Sequence, residues 1–370
     1  MNIVESGIRI IEQKYNDSSL LEDMMKHIEI CGRNCYKSED KITKDSYKKF
    51  VDNLMKSKHG AMLEHGTVYL TIPLGSPVDD KAYMRKMDLI QFFKSNKYSK
   101  VNKGRISETI TVEDNNIVVV MDCYYITTNW RVIIENEKVN VVDYLEDWKM
   151  HKDTLKNSIF EYMTKPTDNH EKRYTIEFTY HIAVARDVNR HRVQSVAEES
   201  TRYCNYTKEK FGNGLNIVPP ERFTADEAKK RLEFWEREQA WDYEGDVLKE
   251  MCIEIATDMT SEWTDIDWWI YANLSCEKTY FMLKDHYGWS NQECSLILPM
   301  DTKTCSIHTA FAKDWCHFFN LRALGTTGAP RPSIKKLASI LMEEFLVKGW
   351  IRTEDLNEEY YQKYISQNNG

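Results

Sequence analysis

No stretch of the 370 residues approaches the roughly 18–20 consecutive apolar positions that a membrane-spanning helix needs, which excludes such a helix. The opening MNIVESGIRIIEQKYNDSS has neither a cationic start nor an unbroken apolar run, so it is not read as a secretory signal. Positive charge is also short. Fifty Lys and Arg stand against 58 Asp and Glu, a net charge of −8, which argues against a general nucleic-acid or membrane-surface binder. The nine cysteines are scattered and only Cys31 and Cys35 lie close together. Without a Cys-x-x-Cys pair or zinc-finger spacing, no metal site is expected, and the cysteines read as small buried hydrophobes of a cytoplasmic protein. No internal repeat is visible.

What the chain does have is the material of a folded core. Hydrophobic residues make up 42% and charged residues 29%, with 21 Tyr and 10 Trp, which excludes global disorder. The abundance of Lys and Asn points to AT-rich coding and a phage source acting in a host cytoplasm. Helical periodicity marks 19–31 and 44–56, where Tyr47, Phe50, Val51 and Leu54 recur between lysines. A loop from His59 to His65 leads to a strand over 67–72, stopped by Pro73. Residues 75–170 read as an insertion or subdomain, with strands at 117–121 and 124–127 and a lysine-rich piece (Lys94, Lys97, Lys100, Lys103, Arg105) taken as a solvated charge run. Alternation over 172–180 predicts a strand, followed by a helix over 182–192. Residues 225–285 read as helical, with 225–262 an extra segment. Residues 303–323 read as a further helix, and Ser333 opens a helix to 347.

The chemistry concentrates between Arg186 and Tyr203. In an acidic chain this segment gathers Arg186, Arg190, His191, Arg192 and Arg202 within 17 residues. Arg186 and Arg190 are spaced to share a helix face, and Asp187 can pair with Arg190. Ser195 and Ser200 add hydroxyls; Glu198 and Glu199 add carboxylates. Guanidinium forks match phosphate oxygens, each charged hydrogen bond contributing about 1.5–3 kcal/mol. A phosphate-bearing ligand is one reading, and a solvated helix face laced with salt bridges is the other.

Arg190-His191-Arg192, seven intervening residues, then Ser200-Thr201-Arg202-Tyr203 resemble the signature of the flavin-dependent thymidylate synthases. Cys204-Asn205-Tyr206, Lys208 and Lys210-Phe211-Gly212-Asn213 resemble a long-insert branch of that family. Glu64-His65 is similar to an upstream family element. Leu298-Pro299, Thr302-Lys303-Thr304, Trp315 and His317 to Arg322 are similar to its C-terminal block. The three blocks occur in order and span roughly half the chain.

The resemblance implies an α+β fold, a curved antiparallel sheet with long helices, in one catalytic domain over 1–370 that carries the insertion. It implies a homotetramer with active sites between subunits. The implied reaction is methylation of dUMP to dTMP with methylenetetrahydrofolate, FAD and NADPH. A related flavin and folate enzyme that methylates or hydroxymethylates another pyrimidine nucleotide, and a silent nucleotide-binding homologue, are the alternatives. By similarity, Asp187, Arg190, Glu198, Ser200, Thr201, Arg202 and Arg322 would hold dUMP, Arg322 acting as the catalytic cation beside the uracil ring. His59, Glu64, His65, Arg190, His191, Arg192, Glu198, Lys313 and His317 would hold FAD. Taken alone, His317 among Trp315, Phe318 and Phe319 reads as a packed core histidine, and Glu64-His65 as a loop cap. The chain departs from the family at Ala197, Ser295, Phe311 and Lys313, and at Gly328-Ala329-Pro330-Arg331-Pro332, which replaces a family segment with extra residues.

Overall fold

The computed structural model describes residues 1–16, 19–75, 80–112, 115–135, 159–237 and 263–368. In chain order these form β1 (Asn2–Ile3), β2 (Gly7–Ile11), α1 (Leu20–Asn34), α2 (Ser46–Lys56), α3 (Gly60–Leu63), β3 (Thr67–Pro73), α4 (Asp80–Ser95), β4 (Lys100–Val112), β5 (Asn115–Asn129) and α5 (Trp130–Ile134). The second half adds β6 (Arg173–His181), α6 (Ile182–Val188), β7 (Ser195–Glu198), β8 (Asn216–Ile217), α7 (Ala225–Arg237), α8 (Asp265–Phe281), α9 (Asn291–Cys294), β9 (Lys303–Phe311), α10 (Ala312–Arg322), α11 (Pro332–Val347) and α12 (Glu358–Asn368). Helices and antiparallel sheet mix, as the α+β expectation required.

The sheet that matters for the site is four-stranded, in the order β2-β6-β9-β7, antiparallel throughout. Side chains alternate between its faces along each strand. On β9 the even positions Thr304, Ser306 and His308 bond toward Glu198, Tyr180 and Gln194, on the side of α6 and α10. The odd position Thr309 bonds to His65, on the side of α1 and α3. One face thus packs on α6, α10 and α11 through Phe178, Val184, Phe318, Leu337 and Phe345. Burying each of these large apolar side chains contributes about 1.5–3 kcal/mol.

A second sheet, β3-β5-β4, joins α1, α2, α4 and α5 around Met24, Ile28, Leu70, Phe93, Ile126 and Trp130. β5 lies within the segment read as an insertion, yet it pairs with β3 from Thr67↔Asn129 to Pro73↔Cys123. Close approach here needs Gly66, because a Cβ would sit 2.6 Å from Ile28 Cδ1. β1 and β8 pair in parallel beside α7 and α8 in a third core.

Three expectations change. Residues 303–311 form strand β9, not the first half of a helix; its polar positions Thr304, Ser306 and His308 are buried like the apolar ones between them, so neither face of the strand meets solvent. The helix expected over 182–192 ends at Val188, and the residues after it form the loop to β7. The two strands expected at 117–121 and 124–127 are one, β5. Within the segment expected to be helical over 225–285, α7 and α8 are present, while 238–262 lies outside the described residues, as does 136–158 of the insertion. The eight described cysteines are free and mostly buried.

Candidate active site

Residues 187–192 lie at the end of α6 and in the loop to β7, and α10 brings Arg322 to them. Arg322 Nε donates to His191 Nε2 at 3.1 Å, and its Nη2 donates to the Asp187 carbonyl oxygen at 2.7 Å. Because His191 Nε2 accepts, the ring is neutral with its proton on Nδ1. Burial, the Arg322 charge and His317 together push its pKa down to about 4. Arg322 is therefore bound by a neutral ring and a carbonyl rather than a carboxylate, so its charge is left for something else. Burial also lowers its pKa, as expected for a half-buried cation.

The loop rests on a buried polar chain. Gln194 N donates to the His191 carbonyl oxygen at 3.0 Å. Gln194 Oε1 accepts from His308 Nδ1 at 2.9 Å, His308 Nε2 accepts from Ser306 Oγ at 2.8 Å, and Ser306 Oγ in turn accepts from the Tyr180 hydroxyl. His308 is enclosed, and burial pushes its pKa down to about 3. Glu198, on edge strand β7, accepts from Asn189 Nδ2 at 2.6 Å and from Thr304 Oγ1 at 3.4 Å. Burial raises its pKa, with those two hydrogen bonds opposing.

Other predicted residues join this face or leave it. Arg190 is 75% exposed, its Nη1 3.7 Å from Asp187 Oδ1. Arg192, Lys313 and His317 are exposed, and the rings of His317 and His191 lie 5.9 Å apart. His317 is thus not the packed core residue that its aromatic neighbours suggest: Phe318 and Phe319 face inward and it faces out. Ser200 bonds through its N–H to the Cys35 carbonyl oxygen at 3.1 Å, and Thr201 follows in the same turn. Arg202 donates through Nε and Nη2 to Gln292 Oε1, at 3.2 and 2.9 Å, rather than joining Arg322.

The upstream group sits across the sheet. His59 is exposed, its Nδ1 3.4 Å from the Tyr36 hydroxyl. Glu64 is ion-paired to Arg131 at 2.7 Å. His65 is enclosed at 0% exposure, with Nδ1 2.8 Å from Thr309 Oγ1, so in this chain it offers no surface to a flavin. Thr309 continues to Thr175 at 2.8 Å and from there to His27 at 3.0 Å, a second buried polar chain. Phe311, one of the family departures, is buried, with the Arg173 guanidinium 5.6 Å from its ring.

Sequence reasoning passed over Asn189 and Arg331. Asn189 precedes the Arg-His-Arg triplet and holds Glu198. Arg331 Nε lies 3.2 Å from Asp187 Oδ2, although 144 residues separate the two. The Pro-Arg-Pro step was visible, but nothing in spacing shows that it folds back on α6.

Comparison with solved structures finds 106 similar chains, two of which follow. One is a UMP/dUMP methylase, PolB, from Streptomyces cacaoi bound with 5-Br dUMP, at 13% identity over 94% of this chain and 92% of that one, TM-score 0.34. The other is thymidylate synthase X from Helicobacter pylori with FAD and dUMP, at 14% identity over 46% of this chain and 66% of that one, TM-score 0.29. No curated protein matches. The profile of the family described as thymidylate synthase complementing protein matches residues 113–347, from the start of β5 to the end of α11, and the chain belongs to that family.

Proposed function

We propose that the chain catalyses reductive methylation of dUMP to dTMP, with methylenetetrahydrofolate as carbon donor, FAD as hydride carrier and NADPH as reductant. The observation that carries the reading is the junction of Arg322 with the 187–192 loop: a half-buried guanidinium that, among the described residues, hydrogen-bonds to a ring nitrogen and a backbone carbonyl and to no carboxylate, beside a neutral His191. A fixed cation of this kind lowers the barrier where negative charge develops, here on a uracil ring losing its N3 proton. Charge spread through the ring then makes C5 nucleophilic, and no enzymatic nucleophile is required.

The donor set suits both ligands. Arg190 is 75% exposed and Arg202 is held, among the described residues, by an amide oxygen, so both can turn toward phosphate. Ser200 and Thr201 add hydroxyls in the same turn. For FAD, the fit rests on Arg192, Lys313 and His317, exposed side chains with no hydrogen-bond or ion-pair partner among the described residues, together with Arg190. When bound, FAD supplies hydride chemistry. Glu198, kept easier to protonate by burial, would lie between the two ligands, oriented by Asn189. His59 and Glu64 lie on the other face of the sheet, so their proposed flavin role requires a second copy of the chain, in keeping with a homotetramer whose sites lie between subunits.

The test is direct. Purified protein should carry or take up FAD, bleach its visible band under NADPH, and form dTMP from dUMP and methylenetetrahydrofolate. A protein that binds neither FAD nor dUMP sinks the proposal. One that oxidises NADPH but converts another pyrimidine nucleotide and not dUMP corrects the substrate.

A further inference from the structure

Among the described residues, the Asp187 carboxylate faces two guanidinium groups, and a third reaches its backbone carbonyl. Arg331 Nε lies 3.2 Å from its Oδ2, Arg190 Nη1 lies 3.7 Å from its Oδ1, and Arg322 Nη2 donates to its carbonyl oxygen. The other nearby carboxylate, Glu198, is turned toward Asn189 and Thr304.

The loop that delivers Arg331 is stiff. Gly325 (φ +72°) and Gly328 (φ +130°) occupy backbone regions that favour glycine. Gly328 N closes onto the Gly325 carbonyl oxygen at 3.1 Å, and Thr326 N bonds to the Asn320 carbonyl oxygen at 3.0 Å. A Cβ on Gly325 would press on Gly328 O and Pro330 Cδ, both at 3.1 Å. Pro330 and Pro332 flank Arg331, whose backbone is extended (φ −56°, ψ 134°), and Pro332 opens α11. His181, bonded to Ser333 Oγ at 3.1 Å just beyond, has its pKa lowered first by burial and adds no charge near neutral pH.

We infer that Arg331 is a positioning residue of the nucleotide site: by neutralising Asp187, it leaves Arg190 free for the phosphate of a pyrimidine nucleoside monophosphate, while Arg322 faces the uracil ring. The inference rests on the nucleotide reading proposed above. Without Arg331, the Asp187 carboxylate captures Arg190 fully and stands within reach of the incoming dianion, where like charges repel. With it, the face offers the Arg190 guanidinium to a doubly charged phosphate.

Calorimetric titration of dUMP into the full-length protein tests this. Arg331→Met is expected to weaken binding roughly tenfold, and Arg331→Lys, which keeps the charge, by less. Asp187→Asn combined with Arg331→Met should bind dUMP more tightly than Arg331→Met alone, because the charge that needed neutralising is gone. A merely structural arginine would show no such rescue. Should Arg331→Met fail to fold by circular dichroism, Arg331→Gln is read on the same scale. An affinity for Arg331→Met or →Gln within about twofold of wild type, or a double variant no tighter than the single, overturns the inference. Wild-type protein that binds no dUMP at all refutes the nucleotide reading itself, a separate result.

Discussion

The two faces of the β2-β6-β9-β7 sheet carry similar residue types put to different use. On the α6 and α10 face, histidine and arginine meet at a surface: His191 is covered, but Arg190, Arg192, Lys313 and His317 reach solvent. On the α1 and α3 face, His27, Thr175, Thr309 and His65 form a closed chain with 0–5% exposure. A polar group in the first setting can exchange a water or a neighbour for a ligand. In the second it has nothing to exchange, and its hydrogen bonds go into specifying the fold. Motif matching cannot distinguish these cases, because it ranks His65 with His191.

The largest expected effect tests the open face. Arg322→Ala should lower kcat/KM for dTMP formation by about 10²–10³ or more while circular dichroism stays unchanged. Near-normal turnover would remove the open face from the chemistry. The closed face should respond in stability instead. Thr309→Val leaves the His65 ring and the Thr175 hydroxyl short of a buried partner, at a cost of about 2–4 kcal/mol in urea unfolding. Its dUMP affinity should be unchanged; a change there would blur the distinction between the faces.

A smaller effect is expected at Arg202, outside the Arg322 group. Arg202→Ala should weaken dUMP binding by roughly tenfold, the lower end of a charged hydrogen bond. Unaltered affinity would place the phosphate elsewhere. The last prediction concerns acid. His27 and His308 titrate near 3 and His191 near 4, all below the ordinary value because burial penalises the charged ring. An unfolded chain takes up those protons near pH 6.5, so stability is fully present above that value and falls as pH drops toward 4 and 3. The unfolding free energy should therefore slope downward across this window, and His308→Gln should flatten the slope. An equal slope in the variant would show that other groups dominate.

Much of the local structure was readable. The amphipathic spacing of α1 and α2, the alternation of β6 and the extent of α11 to Val347 all reported their conformations through nearest-neighbour physics. β9 was not readable, because Thr304, Ser306 and His308 are polar yet buried, satisfied by partners more than a hundred residues distant or on the same strand. The Arg190–Arg202 cluster could be found by composition, but the split between Arg202 on Gln292 and Arg190 on Asp187 could not.

By itself the sequence determined the periodicities, the turn positions and the concentration of guanidinium groups, since these depend on side chains a few residues apart. Tertiary structure alone decided which histidine is enclosed, which face each segment serves, and that Arg322 and Arg331 return to Asp187 across 135 and 144 residues. The physical reason is that desolvation and charge act through space: a side chain's role depends on how much water the fold leaves around it and which charges it brings near.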